Sequence, residues 1–298
     1  MHTQGQTRSP KRRRGVLAAA AITAAVALFP VGQSRAANPG ANNPFRTDRT
    51  LVIPHGGGDG VYPEDTLIAY EKTMALGADV VDVDVRISSD GIPVLIHDAD
   101  TLRTTGQQGK VAAMTASQLG TLDAGWSFGT TTHPFRNKNV YIPTLETILK
   151  RFPKALLSID LKDESIAVIK PVCKLLRAYN RRNNVFVGSN NDAQILAFRQ
   201  RCPDVRTSAT MVDVYASRDA RASGAKDFVS AVGVDQPPYR IGDQTLVDKA
   251  SLDFAHAHGI AVLTWVVNDP ADLQHLVEIG VDGIYTSYPD RLLKILRR

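Results

Sequence analysis

The sequence has few of the features that mark several classes of protein. It contains only two cysteines, Cys173 and Cys202, and its histidines and cysteines form no cluster at the spacing of a zinc site. No G-x-G-x-x-G follows the first predicted strand, which argues against a dinucleotide-binding sheet. Its apolar run near the amino terminus, Val16–Val31, is shorter than the roughly 20 residues of a membrane-spanning helix. A hydrophobic content of 43% is instead typical of a globular protein.

The positive charge of the chain is confined to its first residues. The formal net charge of all 298 residues is +5 at pH 7. Residues 1–36 hold six of the basic residues and no acidic one, so the remaining residues carry a net charge of −1. A surface for a polyanion therefore has no support in the composition, and we expect no nucleic-acid partner.

The first 36 residues have the pattern of an export signal. The basic stretch Lys11–Arg14 precedes the apolar run, and Ser34–Ala36 offers a cleavage site of small residues. Two consecutive arginines in the basic stretch also resemble a twin-arginine signal. We therefore expect residues 1–36 to be removed and the protein to be secreted, or at least extracytoplasmic, without stable membrane insertion. An uncleaved anchor is the alternative.

Residues 37–50 are rich in Asn, Pro and Gly and are predicted to be a linker at the start of the mature chain. Export would permit a disulfide between Cys173 and Cys202. Two buried free thiols are equally compatible with the sequence, because spacing alone cannot place two Cα atoms within bridging distance. The sequence gives no indication of an oligomeric state.

From Leu51 onward, short apolar runs alternate with helix-like stretches. The predicted strands are Leu51–Pro54, Val80–Arg86, Ala155–Leu161, Val185–Gly188, Arg206–Thr210, Ala231–Asp235, Ala261–Val267 and Gly283–Thr286. Helical patterns between them include Thr66–Leu76, Leu145–Arg151, Ser165–Arg181, Asp192–Arg201, Gln244–His258 and Pro270–Ile279. Such alternation predicts an α/β fold with a parallel sheet, and eight units in 51–298 favour a (β/α)8 TIM barrel over a doubly wound open sheet.

One apolar run, Pro93–Ile96, breaks the alternation. It follows Val80–Arg86 after a short turn that includes Asp90 and Gly91, too soon for a parallel crossover. We therefore predict an antiparallel hairpin at the barrel mouth that carries His97. The polar stretch that follows is too long for an ordinary loop and is predicted to be a small insertion, about 99–141, that covers the site.

The polar residues at the predicted strand ends point to metal-assisted chemistry. Asp82 and Asp84 lie two residues apart in an otherwise apolar strand, so both carboxylates face the same side. In a TIM barrel, functional side chains gather at the carboxyl ends of the strands. That rule brings together His55, Glu64, Asp82, Asp84, His97, Asp160 and Lys162. Carboxylate oxygens suit a hard divalent cation, either Ca²⁺ or Mg²⁺. Each of these residues, taken alone, could instead have an ordinary structural role as a helix cap, turn or loop residue.

Three segments of the sequence resemble the glycerophosphodiester phosphodiesterase family. They are PHGGGDGVYPEDT at 54–66, GADVVDVDVRISSDGIPVLIHDADTLRTT at 77–105 and TWVVNDPADLQHLVEIGVDGIYTSYPD at 264–290. They look like the family's segments with His-Arg-Gly and Pro-Glu-Asn-Thr, with Glu-Leu-Asp-Val and His-Asp, and with Trp-x-x-Asn and Gly-Val-Asp-Gly-Ile. The resemblance runs from about Leu51 to Leu292, and three motifs in this order are highly specific.

The resemblance implies a TIM barrel with an insertion after the second strand and a role for each candidate side chain. It implies that His55 and His97 are the catalytic pair, and we expect His55 to act as base and His97 as acid. It also implies that Asp82, Asp84 and Asp160 hold one divalent cation. The substrate would be a small glycerophosphodiester, hydrolysed to sn-glycerol 3-phosphate and an alcohol.

The substrate contacts also follow from the resemblance. It places Lys162 on the phosphate, Trp265 on the glycerol side and Glu64 in or beside the metal shell. Gly56 stands where the family usually has a phosphate-binding Arg, so a bidentate contact is lost. Lys162 or Arg86 is the expected substitute for that Arg.

Three acidic residues also depart from the family pattern. Asp82 and Asp160 stand where the family usually has Glu, which shortens each side chain by one methylene. Asp65 replaces the usual Asn and is expected to add negative charge beside the site. Two alternative functions stay open. One is a sphingomyelinase D-like phospholipase acting on phospholipids or lysophospholipids, and the other is a non-catalytic glycerophosphate-binding protein.

Overall fold

The computed structural model describes residues 42–225 and 227–298. The predicted export signal at 1–36 and the first part of the predicted linker lie outside these residues. Among the helices that are described, none has both the length and the apolar character needed to cross a membrane.

Parallel strands dominate the sheet structure. The strands of the described residues are β1 (Leu51–Pro54), β2 (Val80–Ile87), β3 (Pro93–Leu95), β4 (Leu156–Leu161), β5 (Val185–Gly188), β6 (Arg206–Thr207), β7 (Val234–Asp235), β8 (Arg240–Ile241), β9 (Gln244–Thr245), β10 (Ala261–Thr264) and β11 (Gly283–Thr286). The parallel strands form two sheets, in the orders β1-β11-β10-β7 and β2-β4-β5-β6.

The two sheets close into one barrel. A parallel bridge between Ser208 and Val234 joins β6 to β7. Where β1 meets β2, the Asp79 amide donates to the Val52 carbonyl at 3.0 Å. The ring therefore runs β1-β2-β4-β5-β6-β7-β10-β11, and the prediction of a (β/α)8 TIM barrel is confirmed.

Helices connect the strands on the outside of the barrel. They are α1 (Leu67–Leu76), α2 (Leu102–Thr105), α3 (Ala116–Leu119), α4 (Leu145–Arg151), α5 (Ile169–Ala178), α6 (Asp192–Arg201), α7 (Met211–Ser223), α8 (Lys249–Ala257), α9 (Pro270–Ile279) and α10 (Pro289–Ile295). Side-chain oxygens cap their first turns, as Thr66, Thr144, Asn191 and Asp269 do for α1, α4, α6 and α9. These caps satisfy amides that have no partner within the helix.

Two stretches differ from the helices that the sequence predicts. The pattern at 165–181 divides into a 3-10 turn, Ile166–Val168, followed by α5. The helix predicted at 244–258 begins only at Lys249 in the structure. Gln244–Thr245 pairs instead with Arg240–Ile241 in a small antiparallel hairpin. Helix α7 was not predicted, since it buries no side chain and so lacks an apolar period in the sequence.

The predicted hairpin is present after β2. Strand β3 pairs antiparallel with β2, with Val85 opposite Leu95 and Ile87 opposite Pro93. The Ile96 amide donates to the Asp84 carbonyl at 3.0 Å, so the chain runs back down to the level of the β2 carboxylates. This return places His97 at the barrel mouth.

The residues predicted as an insertion contain their own small core. Its buried apolar side chains are Val94, Ile96, Val111, Ala116, Leu119, Leu122, Ala124, Val140 and Ile142. Two hydrogen bonds tie it to the hairpin turn: the Ser89 amide donates to the Met114 carbonyl at 2.8 Å, and the Ala116 amide donates to Asp90 at 2.9 Å. The insertion therefore packs on the hairpin, at the carboxyl end of the barrel.

The described part of the predicted linker packs against the opposite end of the barrel. Phe45 is fully buried and meets the Phe186 ring edge-on, with 4.8 Å between ring centroids. The Asn43 side chain donates to the Gly233 carbonyl at 2.6 Å. Residues 42–50 are therefore not a free connection, as their composition suggested, because an aromatic side chain within them fills the base of the barrel.

The two cysteines form a disulfide between neighbouring helices. Cys173 lies in α5 and Cys202 follows α6, with 6.0 Å between their Cα atoms. The alternative of two free thiols, which the sequence left open, does not apply.

Asp79 ties both ends of the described chain to the start of β2. Its nearly buried carboxylate accepts from Arg49 at 2.7 Å, from Arg298 at 2.8 Å and from the Val52 amide at 2.9 Å. Burial opposes ionisation, but the hydrogen bonds from Arg298, Arg49 and Val52 outweigh it and lower the pKa of Asp79 to about 2.

We therefore expect Asp79→Asn to destabilise the protein in a pH-dependent way. The folded pKa lies below the unfolded value of about 3.9, so the stabilisation is present above that pH and is lost as the pH falls towards 2. Denaturant unfolding should show a loss of about 2 kcal/mol at pH 7 and a much smaller one at pH 2.5. Asp243→Asn, at an exposed site, is the control. A loss that is equal at both pH values would contradict the assignment.

Candidate active site

Three of the predicted acidic residues stand side by side on two adjacent strands. In the pairing of β2 with β4, Asp84 lies opposite Asp160 and Asp82 lies opposite Ser158. Because residues two apart share a face of a strand, Asp82, Asp84 and Asp160 project from the same side of the sheet. Asp82 and Asp84 are each only 5% exposed.

A backbone hydrogen bond orients Asp82. The Gly56 amide donates to its carboxylate at 3.1 Å. Ser158, which lies opposite Asp82 on β4, has its hydroxyl 3.0 Å from the Tyr285 hydroxyl, and Tyr285 accepts from the Gln236 amide at 2.7 Å. Buried polar side chains from three strands or strand ends therefore lie beside Asp82.

Lys162 lies between two of the acids. Its ammonium is 2.7 Å from Asp160 and 3.3 Å from Asp84. Burial would lower the pKa of Lys162, but the charges of Asp160 and Asp84 outweigh it and raise that pKa. Burial also raises the pKa of Asp84, to about 7, because Lys162 only partly offsets burial and the charges of Asp82 and Asp160. One lysine therefore does not neutralise this group of acids.

Asp65, which the sequence predicts to add negative charge, is a further buried acid in this group. Its backbone is left-handed, with φ at 54°, a conformation that Asn and Asp tolerate best among residues with a side chain. One oxygen accepts from the Tyr70 hydroxyl at 2.8 Å and from the Asp84 amide at 3.1 Å, and the other has no partner. Complete burial and the charges of Asp84 and Glu64 raise its pKa well above the usual range. Its surroundings therefore oppose the negative charge that the sequence predicts at this position.

Each of the two predicted catalytic histidines has a carboxylate partner. His55 follows β1 on a 3-10 turn in which Gly56, Gly57 and Gly58 all have positive φ. Its Nδ1 is 3.1 Å from Asp59. Burial would lower the pKa of His55, but the Asp59 hydrogen bond and nearby acid charges raise it to about 9. His55 then holds its proton at neutral pH, which opposes the expected role as base. A cation on the β2 acids would weaken that rise.

His97 is held at the end of the hairpin by two arginines. Its Nδ1 is 2.8 Å from Asp98, whose other oxygen accepts from Arg103 at 2.5 Å. Arg103 also forms a bidentate pair with Glu64. The hydrogen bond from Arg103 is the main reason that the pKa of Asp98 falls to about 2, so this partner is an anion at neutral pH. Arg86 donates to the His97 carbonyl at 2.9 Å and fixes the backbone.

The other residues predicted to contact the substrate do not all lie beside the acids. Arg86 is also 3.4 Å from Asp163, so its guanidinium is engaged by the protein. Trp265 follows β10, three strands around the barrel from β2. Its indole donates to the Gln236 carbonyl at 2.6 Å. It lines a surface cavity of about 310 Å³ together with Tyr239 and other residues.

Several residues that support the site were missed from the sequence. Asp59 lies four residues beyond His55 in a turn, and Arg103 lies six residues beyond His97 in the short helix α2. No regular element joins either residue to its histidine, so no helical or strand period indicated the pairing. Ser158 lies two residues before Asp160 in the same strand, so the sequence could have placed both side chains on one face. Tyr285 had none, because it reaches Ser158 from 127 residues away.

The donor set fits a hard divalent cation in its chemistry. All candidate ligands are carboxylates, and one oxygen each of Asp160 and Asp65 is buried with no hydrogen-bond partner. The distances do not show a converged site: among residues 42–225 and 227–298, no group of three or more His, Cys, Asp or Glu side chains is arranged to hold an ion. The Lys162 ammonium lies between two of the predicted ligands.

We expect Asp65→Asn to stabilise the protein at neutral pH. The folded pKa of Asp65 is raised above the unfolded value of about 3.9, so the wild type loses stability as the pH rises above that value, whereas Asn does not titrate. Unfolding in the presence of a chelator should show Asp65→Asn more stable than wild type at pH 7 and equal to it at pH 3. Asp65→Ala, which removes the acceptor for Tyr70 and Asp84, should lose about 1–3 kcal/mol at both. Destabilisation by Asn at pH 7 would mean that Asp65 is ionised.

Known proteins are similar in sequence to this chain over most of its length. The model of the "glycerophosphoryl diester phosphodiesterase family" matches residues 55–291. The glycerophosphodiester phosphodiesterase of Bacillus subtilis is 27% identical over 95% of this chain and 98% of its own. Lysophospholipase D GDPD1 of Mus musculus is 25% identical over 82% of this chain and 85% of its own.

Solved structures have the same fold. An Oleispira antarctica phosphodiesterase in complex with sn-glycerol 3-phosphate is 22% identical, with a TM-score of 0.68 over 84% of this chain and 98% of that one. The match of the family model covers both histidines, all of the acids described above, Lys162 and Trp265. The chain belongs to the glycerophosphoryl diester phosphodiesterase family.

Proposed function

We propose that this protein hydrolyses glycerophosphodiesters, such as glycerophosphocholine, to sn-glycerol 3-phosphate and an alcohol. Membership of the family and the activity named for its relatives support this reaction. The observation that carries the proposal is the pair of histidines, each with an Asp at Nδ1, that interact with the charges of the β2 carboxylates. Such a partner fixes the ring and its tautomer, leaving Nε2 free to exchange a proton with a substrate.

The predicted ion would be held by Asp82, Asp84 and Asp160, and the family is generally dependent on a divalent metal. Bound there, Ca²⁺ or Mg²⁺ would polarise a non-bridging phosphate oxygen and offset its charge. Lys162, already among these acids, would contact the phosphate.

The two histidines would divide the proton transfers. One takes the proton from the attacking hydroxyl, which is a water or the glycerol 2-hydroxyl, and the other protonates the leaving alkoxide. The pKa of Asp98 falls to about 2 and the pKa of Asp59 is also lowered, so each ring Nδ1 lies beside a carboxylate that favours its ionised form.

We also propose that the protein acts outside the cytoplasm. The basic and then apolar pattern at 1–36 supports export. The Cys173–Cys202 disulfide is consistent with this, because disulfides persist in oxidising compartments.

We expect His97→Ala to lose roughly 10²–10⁴-fold in turnover while the fold and metal affinity are retained. Release of sn-glycerol 3-phosphate from glycerophosphocholine would be followed after chelation and with Ca²⁺ or Mg²⁺ restored singly. His275→Ala, which removes an exposed histidine from α9, is the matched control. Near-normal turnover by His97→Ala would remove His97 from the mechanism.

The non-catalytic alternative depends on Gly56, so Gly56→Arg tests it. A Cβ at this position would be 3.5 Å from the Glu64 Cβ, an ordinary contact, although the φ of 53° costs about 1–2 kcal/mol for a residue with a side chain. A charge-assisted bond to the phosphate is worth about 1.5–3 kcal/mol. We therefore expect Gly56→Arg to raise kcat/KM at least tenfold over Gly56→Ala, which bears the same backbone cost.

If neither wild type nor Gly56→Arg hydrolyses any diester with any divalent metal, and both bind glycerophosphate, the binding-protein alternative is favoured. Equal activity of the Arg and Ala variants would show that another cation already serves the phosphate.

A further inference from the structure

The exposed large apolar side chains are concentrated at the carboxyl end of the barrel. Among the described residues, ten of fourteen lie in the insertion, in the β2–β3 turn, or in the connection or first helical turn that follows the carboxyl end of a barrel strand. These ten are Ile92, Leu102, Trp126, Tyr141, Ile166, Met211, Val212, Ile241, Trp265 and Val266. The other four are Leu76, Leu196, Tyr215 and Val229. An even scatter would need no explanation, whereas a concentration at one end marks an interaction surface.

Trp126 is the best-defined of these exposed side chains. Its ring lies against the backbone of Gly106, where a Cβ would overlap the indole. The Arg136 guanidinium stacks 4.2 Å from the ring centroid, and Arg136 also donates to the Trp126 carbonyl at 2.9 Å. The indole nevertheless stays 38% exposed. It is therefore held in place by the protein but not covered by it.

The charge of the insertion differs from that of the rest of the exported chain. Residues 99–141 contain four basic residues (Arg103, Lys110, Arg136 and Lys138) and two acids (Asp100 and Asp123), which gives +2. Arg103 is paired with Glu64 and Asp98, so Lys110, Arg136 and Lys138 are the cations that this surface offers to a partner. Residues 37–298 as a whole carry −1. Exposed Trp, Tyr and Leu among Lys and Arg is the composition of a surface that sits at a lipid–water boundary with anionic headgroups.

We propose that the insertion docks the barrel mouth on a lipid surface that carries anionic headgroups, with Trp126 in the interface. The docked mouth would face phosphodiester headgroups in the plane of the lipid. This choice of substrate source rests on the proposed function, but the docking itself does not. A second copy of the chain on the same surface would cover the mouth, so lipid is the occupant that leaves the site usable.

Trp126 is also the means to test the docking. The chain has two tryptophans, so Trp265→Phe leaves Trp126 as the only fluorescent reporter. With the full chain, vesicles of phosphatidylglycerol and phosphatidylcholine should shift the emission of Trp126 to the blue and protect it from acrylamide, and pure phosphatidylcholine should do so much less. Any binding by residues 1–36 leaves this signal unchanged.

Affinity provides the second measurement. Trp126→Ala should weaken binding to the mixed vesicles about tenfold, which corresponds to burial of part of one indole. Val229→Ala, which removes a side chain exposed by 82% at the other end of the barrel, should leave binding unchanged. Hydrolysis of glycerophosphocholine in solution should be equal in wild type and Trp126→Ala, since Trp126 contacts no residue of the site.

Three results would overturn the proposal. The first is unchanged Trp126 emission with anionic vesicles, and the second is equal binding by Trp126→Ala and Val229→Ala. The third is an emission shift that follows protein concentration without lipid, which would indicate self-association. Absence of phosphodiester turnover alongside normal docking would refute the proposed function and leave the docking intact.

Discussion

The site is governed by an excess of buried carboxylates over cations. Asp65, Asp82, Asp84 and Asp160 share the barrel mouth, and Lys162 is the cation that touches two of them. Burial makes each negative charge costly, so the pKa values of the first three rise. The rest of the local structure offsets this cost. The Tyr70 hydroxyl and the Asp84 amide donate to Asp65, Lys162 bridges its two acids, and the Gly56 amide donates to Asp82. A divalent cation would complete the same balance.

The barrel imposes this arrangement through its register. Asp84 and Asp160 are neighbours because β2 and β4 pair in parallel with those residues opposite each other. A shift of one residue would turn the carboxylates of one strand to the other face. The hairpin then adds His97 from above, because β3 runs back along β2 to the level of Asp84. Two histidines from different elements are thereby brought to the same end of the barrel as the β2 carboxylates.

The insertion contributes to the site from a separate small core. Arg103, near its start, joins Asp98 and Glu64, and so links the hairpin to the loop after β1. The same unit presents Trp126 and basic side chains outward. One segment therefore stabilises the orientation of His97 and shapes the surface around the mouth.

Much of this could be predicted from local patterns. The Asp-x-Asp spacing in β2, the short turn before β3 and the alternation of strands with capped helices are properties of neighbouring residues, and each predicted the element that forms. Contacts between distant residues could not be predicted, because no local period encodes them. They include the bond between Ser158 and Tyr285 and the burial of Phe45 against Phe186.

The barrel, the hairpin and the strand face that carries the acids therefore follow from the sequence, since backbone period and turn length specify them. The partners and electrostatic surroundings of the site residues depend on the folded chain. Folding closes the Cys173–Cys202 disulfide, raises the pKa of Asp65 by burial and brings a carboxylate to each histidine. The physical reason is that burial and pairing depend on which distant side chains share a space, and the folded barrel alone sets that.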